Sequence, residues 1–325
     1  MSQRRWSVRL LVAISAVAAI GFAAWGVATL REGRIAHADP SLEHEIPAFT
    51  RPPEKPDASY LRVIAFGDSG TGGTGQWQVA DAMGRFIKEN GADFLIMLGD
   101  NVYDRGVESV DDPKWDEMIV EPYGRFGLPI WACLGNHDHG GDADAQVERT
   151  RNDPHWHMPA RHYDFSQHLR DGTNLDFFAL DTEPIDEGRD EATAQMTWLD
   201  RRLAKSTANW KIVFGHHPVY SHGRGGNGHM KDAVQPLLER YHVDLYLCGH
   251  DHSLQVLEPK NGVNYVISGG GGGTDNPQEV GWESDSRFAA TRGGFTWLRF
   301  SRHELVIEMV RPDAKTQFGM SIAKD

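Results

Sequence analysis

Cysteine is scarce in this chain of 325 residues: there are two, Cys133 and Cys248. No disulfide framework can therefore carry the fold. Each of the pair closes an apolar run just before a histidine-bearing turn, where a thiol serves as a small buried hydrophobe. Strand ends seldom meet disulfide geometry, so both are expected to be free. An excess of basic charge is also lacking. With 33 Lys and Arg against 46 Asp and Glu the net charge is −13, which argues against a nucleic-acid-binding face and against any general pull on anions. An anionic substrate would need a local positive centre, such as bound metal. Repeats and low-complexity tracts are absent apart from the glycines at 269–273. What remains is an ordinary globular composition, 40% hydrophobic and 24% charged, with length enough for one large domain or two small ones.

A long hydrophobic run occurs once, at residues 10–30, which carry no charge. A bilayer-crossing helix needs roughly 20 such residues. Arg4, Arg5 and Arg9 precede it, so residues 1–9 are expected to stay cytoplasmic and the rest to be exported. Ala36-His37-Ala38 has the form of a signal-peptidase site. The length of the run favours an uncleaved anchor over a cleaved signal, and either places the working domain in an extracytoplasmic, periplasmic or secreted setting. Residues 31–59 are polar and proline-bearing, and are expected to form a tether. Residues 60–325 form the expected catalytic domain.

From Tyr60 onward strands alternate with helices. Strands are expected at 61–66, 93–98, 129–134, 176–180, 211–214 and 243–247, and helices at 76–90 and 196–205. Three β runs, 264–267, 295–300 and 304–310, end the chain. Alternating units followed by a β-only end suggest a mixed sheet, or two stacked sheets with helices outside. Gly70-Thr-Gly72-Gly-Thr-Gly75 follows a strand and opens a helix, as a dinucleotide-binding loop does. No Lys-Ser/Thr pair follows it, so it is not a P-loop, and a dinucleotide site would leave the histidine clusters unexplained. The glycines at 269–273 are expected to be a plain loop.

Five strands in succession end in glycine and then a metal-ligand residue: Gly67-Asp68, Gly99-Asp100-Asn101 with Tyr103, Gly135-Asn136-His137-Asp138, Gly215-His216-His217, and Gly249-His250-Asp251-His252. Alone, each reads as an Asx turn, a helix cap or a hydrogen-bonded histidine. Together they would crowd carboxylates and imidazoles onto one rim of the sheet, where ligands bind in α/β folds, and only cations make such crowding cheap. The candidate donors are Asp68, Asp100, Tyr103, Asn136, His216, His250 and His252. Oxygen and imidazole donors without thiolate suit iron, zinc or manganese. Seven exceed one tetrahedral site but suit two ions sharing a bridging carboxylate.

The order of these blocks resembles that of the calcineurin-like metallophosphoesterases, and the tyrosine after Gly-Asp-Asn resembles the purple acid phosphatase branch. Gly135-Asn-His-Asp-His139 and Cys248-Gly-His-Asp-His-Ser-Leu-Gln255 are similar to the small, mammalian-type tartrate-resistant acid phosphatases, over about residues 60–312. The resemblance implies an α/β (α+β) fold of four layers, α/β/β/α, with two mixed sheets flanked by helices. It implies that Asp68, Tyr103 and His252 hold Fe(3+), that Asn136, His216 and His250 hold Fe(2+), Zn(2+) or Mn(2+), and that Asp100 bridges the two. A metal-bound hydroxide would attack a phosphate monoester while His137 protonates the leaving group, with an acidic optimum. His139, His217 and His222 are candidates for contacting substrate or supporting ligands. Asp251 is expected to face away from the metals. The substrate would be a small phosphate ester or a phosphopeptide, with no nucleic-acid partner. Ser69 stands where mammalian-type relatives carry tryptophan. The stretch Thr182 to Ala194 is short and cysteine-free where theirs is a longer, disulfide-tied loop, so activation by cutting that loop is not expected. The rival readings are a phosphodiesterase on the same scaffold and a non-catalytic anchored binding protein.

Overall fold

Alternation of side chains along each strand assigns the layers of this computed structural model, which describes residues 41, 44–224, 228–273 and 278–324. Strands β1 (Leu61–Phe66), β2 (Phe94–Leu98), β3 (Ile130–Cys133) and β4 (Trp156–His157) run parallel side by side. Further strands are β5 (Tyr163–His168), β6 (Asn174–Ala179), β7 (Trp210–Phe214), β8 (Leu245–Cys248), β9 (Leu254–Leu257), β10 (Asn264–Ser268) and β11 (Ser286–Ala290). The chain ends in β12 (Phe295–Phe300), β13 (Glu304–Val310) and β14 (Thr316–Ala323). One seven-stranded sheet has the order β14-β13-β12-β1-β2-β3-β4, and the other β11-β9-β10-β8-β7-β6-β5. Both are mixed: the first is antiparallel from β14 to β1 and parallel from β1 to its β4 edge, and the second has a parallel centre, β10-β8-β7-β6, with antiparallel flanks.

In the second sheet Leu175 and Phe177 of β6, Ile212 and Phe214 of β7, and Leu245 and Leu247 of β8 join the core shared with the first sheet. Their neighbours Phe178, Val213 and Tyr246 turn the other way. Phe94 of β2 and Phe177 of β6 meet edge to face across the seam at 5.6 Å, and burying such a ring stabilises by about 1.5–3 kcal/mol. Helix α1 (Thr74–Asn90) covers the first sheet, setting Phe86 5.7 Å from Phe295. Helices α2 (Glu191–Lys205) and α3 (Gln235–Arg240) cover the second with Leu199, Leu203 and Leu238. The four-layer α/β/β/α sandwich is therefore present. Cys133 and Cys248 are buried and free.

Residues 10–30 lie outside the described residues, and no helix among those described is long and apolar enough to cross a membrane. Residues 44–59, expected as tether, lie along the domain. Ile46 and Phe49 pack on its core, and Arg51 forms an ion pair with Glu308.

Candidate metal centre

The chain turns sharply wherever a parallel strand ends, and those turns converge. Asp68, Asp100 and Asn136 follow β1, β2 and β3, while His216, His250 and His252 follow β7 and β8. Asp68, Asp100 and His250 take left-handed backbone angles, with φ of 57°, 49° and 67°. Such φ values are uncommon for residues other than glycine and cluster where function demands them. The preceding glycines have a steric reason. A Cβ on Gly99, itself at φ +84°, would lie 2.7 Å from the His216 ring, and one on Gly135 would lie 2.3 Å from Asp100 Oδ1. Any side chain there would displace a donor. The Gly70 loop is explained in the same way, since a Cβ at Gly70 would strike the Asn101 carbonyl. That loop exists to pack against the Asp100 turn.

The seven donors form two groups. Tyr103 Oη donates to Asp100 Oδ2 at 3.0 Å and lies 3.4 Å from Asp68 Oδ1 and 3.1 Å from His252 Nε2. In the second group, Asn136 Oδ1 lies 3.1 Å from His216 Nε2 and 3.2 Å from His250 Nδ1, and those two nitrogens are 3.2 Å apart. Asp100 Oδ2 touches this group as well, at 3.4 Å from His216 Nε2. One carboxylate oxygen is therefore common to both. His216 Nδ1 donates to the Leu98 carbonyl at 2.9 Å, which leaves the Nε2 lone pair pointing inward, as in ligating histidines. Lone pairs of His216, His250 and Asn136 facing one another at such distances, beside buried carboxylates, fit a bound cation.

The electrostatics express the same demand. Burial opposes a proton on His216, but the adjacent Asp100 carboxylate pushes its pKa up to about 10. Burial, His216 and Arg224 pull His250 down to about 3. Burial raises Asp68, whereas His216 and His137 hold Asp100 below the usual carboxylate range against the effect of its own burial. Burial and the Asp68 and Asp100 carboxylates keep the Tyr103 hydroxyl far above the ordinary phenol range.

His137 is more open. Its Nδ1–H donates to the Asp104 carbonyl at 2.5 Å, and its Nε2 sits 4.0 Å from Asp100 Oδ2. His217 is buried behind the imidazoles, its ring 4.5 Å from that of His250 and its Nδ1 2.9 Å from Thr182 Oγ1. Together with His216 and His250 it could also hold an ion. His139 turns to Asp181 at 2.8 Å, and His222 to Asp285 at 2.8 Å, so both are engaged with carboxylates outside the seven-donor set. The cleft beside the first group, about 280 Å³, is walled by Asp68, Thr71, Tyr103, His252 and the glycines at 269, 272 and 273. That glycine run is held in place: Gly271 N–H donates to Gly67 and Gly269 N–H to Ser253, each at 3.0 Å.

The sequence reading did not single out two supports. Asp138 is buried and accepts from the backbone of Gly135, Asn101 and Val102, tying the turns after β2 and β3 together. Its position directly after the Asn-His pair was the available signal. Thr182 Oγ1 accepts the His216 and His217 N–H groups at 3.2 and 3.0 Å, and nothing in its sequence surroundings marks it.

A family model of the calcineurin-like phosphoesterases matches residues 61–254, a span that holds every one of these donors. The chain belongs to the calcineurin-like phosphoesterase family. It is 31% identical over 299 residues to the tartrate-resistant acid phosphatase type 5 of Rattus norvegicus, covering 82% of this chain and 91% of that protein. It is likewise 31% identical over 292 residues to purple acid phosphatase 4 of Arabidopsis thaliana, covering 82% and 84%. Among solved structures it is similar to GAP50, described as the anchor in the inner membrane complex of Plasmodium, with a TM-score of 0.73, 25% identity, and 82% and 90% of the two chains covered. The chain thus sits with the acid phosphatases among the metallophosphoesterase hydrolases.

Proposed function

We propose that this member of the family hydrolyses phosphate monoesters at a dinuclear metal centre in an extracytoplasmic space. The observation that carries the reading is the position of Asp100, whose Oδ2 belongs to both donor groups. Asp68, Tyr103 and His252 would hold Fe(3+), and Asn136, His216 and His250 would hold Fe(2+), Zn(2+) or Mn(2+), with Asp100 between them. When bound, such a pair supplies positive charge to polarise the ester and to acidify a water for attack.

The protein's own groups do the rest. The Asp104 carbonyl fixes the His137 ring through Nδ1–H, leaving Nε2 to carry the proton that passes to the departing alkoxide. Tyr103 lies 4.5 Å from that ring and limits its tilt. A small phosphate ester or a phosphopeptide suits the open cleft, and the uncharged run at 10–30 supports export or anchoring. Elemental analysis, a visible spectrum for ferric tyrosinate, and parallel assays of mono- and diesters test the reading. Two metal equivalents with monoester preference are expected; strong diester preference would overturn the choice of substrate.

A second reading, a non-catalytic anchored protein, is favoured by the likeness to the Plasmodium anchor protein. Full metal content with no turnover on either ester class would select it.

A further inference from the structure

We propose that Arg224 is a specificity residue that binds a second anionic group on the phosphoester, beyond the phosphate to be cleaved. The inference rests on the phosphatase reading and adds to it a substrate class. Arg224 Nη1 lies 3.4 Å from His250 Nε2 at the exposed lip of the site. His250 Nδ1 faces Asn136 Oδ1 and His216 Nε2 inside the donor group. With its lone pair turned inward at Nδ1, a neutral imidazole carries its proton on Nε2. Donor then faces donor, and the guanidinium gains no hydrogen bond from His250. Among the described residues Arg224 also has no ion pair, so its planar fork of N–H groups is free for an anion.

The position of the loop that carries it is built into the fold. Asp251, between two donor histidines, does turn away from the metal centre, and its carboxylate holds the Arg224 loop. It accepts the Ser221 hydroxyl and the Arg224 backbone N–H at 3.2 Å. Gly223 approaches so closely that a Cβ there would lie 2.5 Å from Asp251 Oδ2. The turn that aims His250 and His252 inward therefore also presents Arg224 outward, one imidazole width from the donors. At that separation the guanidinium meets the ester portion of a substrate. In a chain of net charge −13, a cation carried at the mouth on an anchored loop selects esters that carry a second phosphate or a carboxylate.

Equilibrium binding of three non-hydrolysable probes to metal-loaded protein tests this: methylphosphonate, 3-phosphonopropionate and 1,2-ethylenediphosphonate. Wild type should bind the two doubly anionic probes more tightly than methylphosphonate. Arg224→Gln should cut that preference about two- to fivefold, the range of an ion pair at a wet rim. Arg224→Lys should restore part of it, and the preference should shrink with salt. The relative loss on the two doubly anionic probes tells carboxylate from phosphate recognition. Equal weakening of all three probes, or an unchanged preference, overturns the assignment while leaving the phosphatase reading intact. Metal-loaded wild type that binds none of them overturns both.

Discussion

The first sheet supplies oxygen donors and the second supplies nitrogen. Asp68, Asp100, Tyr103 and Asn136 follow β1, β2 and β3, whereas His216, His250 and His252 follow β7 and β8. The two rims are supported differently. The oxygen rim is buried negative charge steadied by backbone N–H groups: His137 N–H donates to Asp100 and His250 N–H to Asp68, each at 2.9 Å. The nitrogen rim is oriented by neutral acceptors, the Leu98 carbonyl and the Thr182 hydroxyl. Two of these supports cross the seam. Leu98 of the first sheet aims His216, and the His250 turn of the second sheet holds Asp68. The centre is thus a property of the interface between sheets, and neither half could assemble it alone.

The sharpest way to break this comparison is Asp100→Asn, which keeps the shape of the shared residue and removes its charge. Both ions should be lost or greatly weakened, beyond the roughly 10- to 100-fold that an outer-shell substitution costs. Asp68→Asn and Asn136→Ala should each affect chiefly the ion of their own group. Metal content by elemental analysis checks this, and an Asp100→Asn protein that still holds two equivalents would dismiss the bridging role. Next in size is His137→Ala. It should lower turnover about 10²- to 10⁴-fold, as loss of a general acid does, with metal content unchanged. Substrates with good leaving groups should be affected least, and a uniform loss across leaving groups would argue for a positioning role.

How much of this was legible follows the same division into centre and edge. Most buried central strands read as continuous apolar runs, although the four-residue β9, buried inside its sheet, did not. The glycine-plus-donor punctuation at the strand ends marked seven residues that the structure brings to one rim. The outermost strands did not read. β4, β5, β11 and β14 are the sheet edges. β5 and β14 alternate exposed with more buried residues, so their apolar signal is diluted by half. His139 and His222 were candidates for contacting substrate or supporting ligands because they are close in sequence to donors. That they face Asp181 and Asp285 was not legible, since sequence spacing does not tell which way a loop side chain turns. Asp138, Thr182 and Arg224 act through contacts between distant segments, and that information exists only once the sheets are stacked.

If the centre depends on the seam, loosening the seam away from the rim should cost stability first. Phe177→Ala removes a ring that meets Phe94 and stacks on Phe165 at 4.8 Å. A cost of about 3–5 kcal/mol is expected in urea melts, while the fraction that stays folded keeps its metal. A variant of near-native stability that had lost metal would instead mean that the seam is tuned around the donors.

The smallest effect concerns the flank of the centre, where His139 after β3 meets Asp181 after β6. Burial opposes charge on His139, but its hydrogen bond and ion pair with Asp181 raise its pKa above the ordinary histidine value. A raised folded pKa means that the native state holds this proton more tightly than the unfolded chain does. The stabilisation is therefore complete below the unfolded value of about 6.5 and is lost as pH rises through the folded value. Melting of wild type and Asp181→Asn from mildly acidic to alkaline pH should show the wild type more stable at the acid end and the gap closing as pH rises. Parallel curves would mean that this pair gives the fold no pH-dependent support.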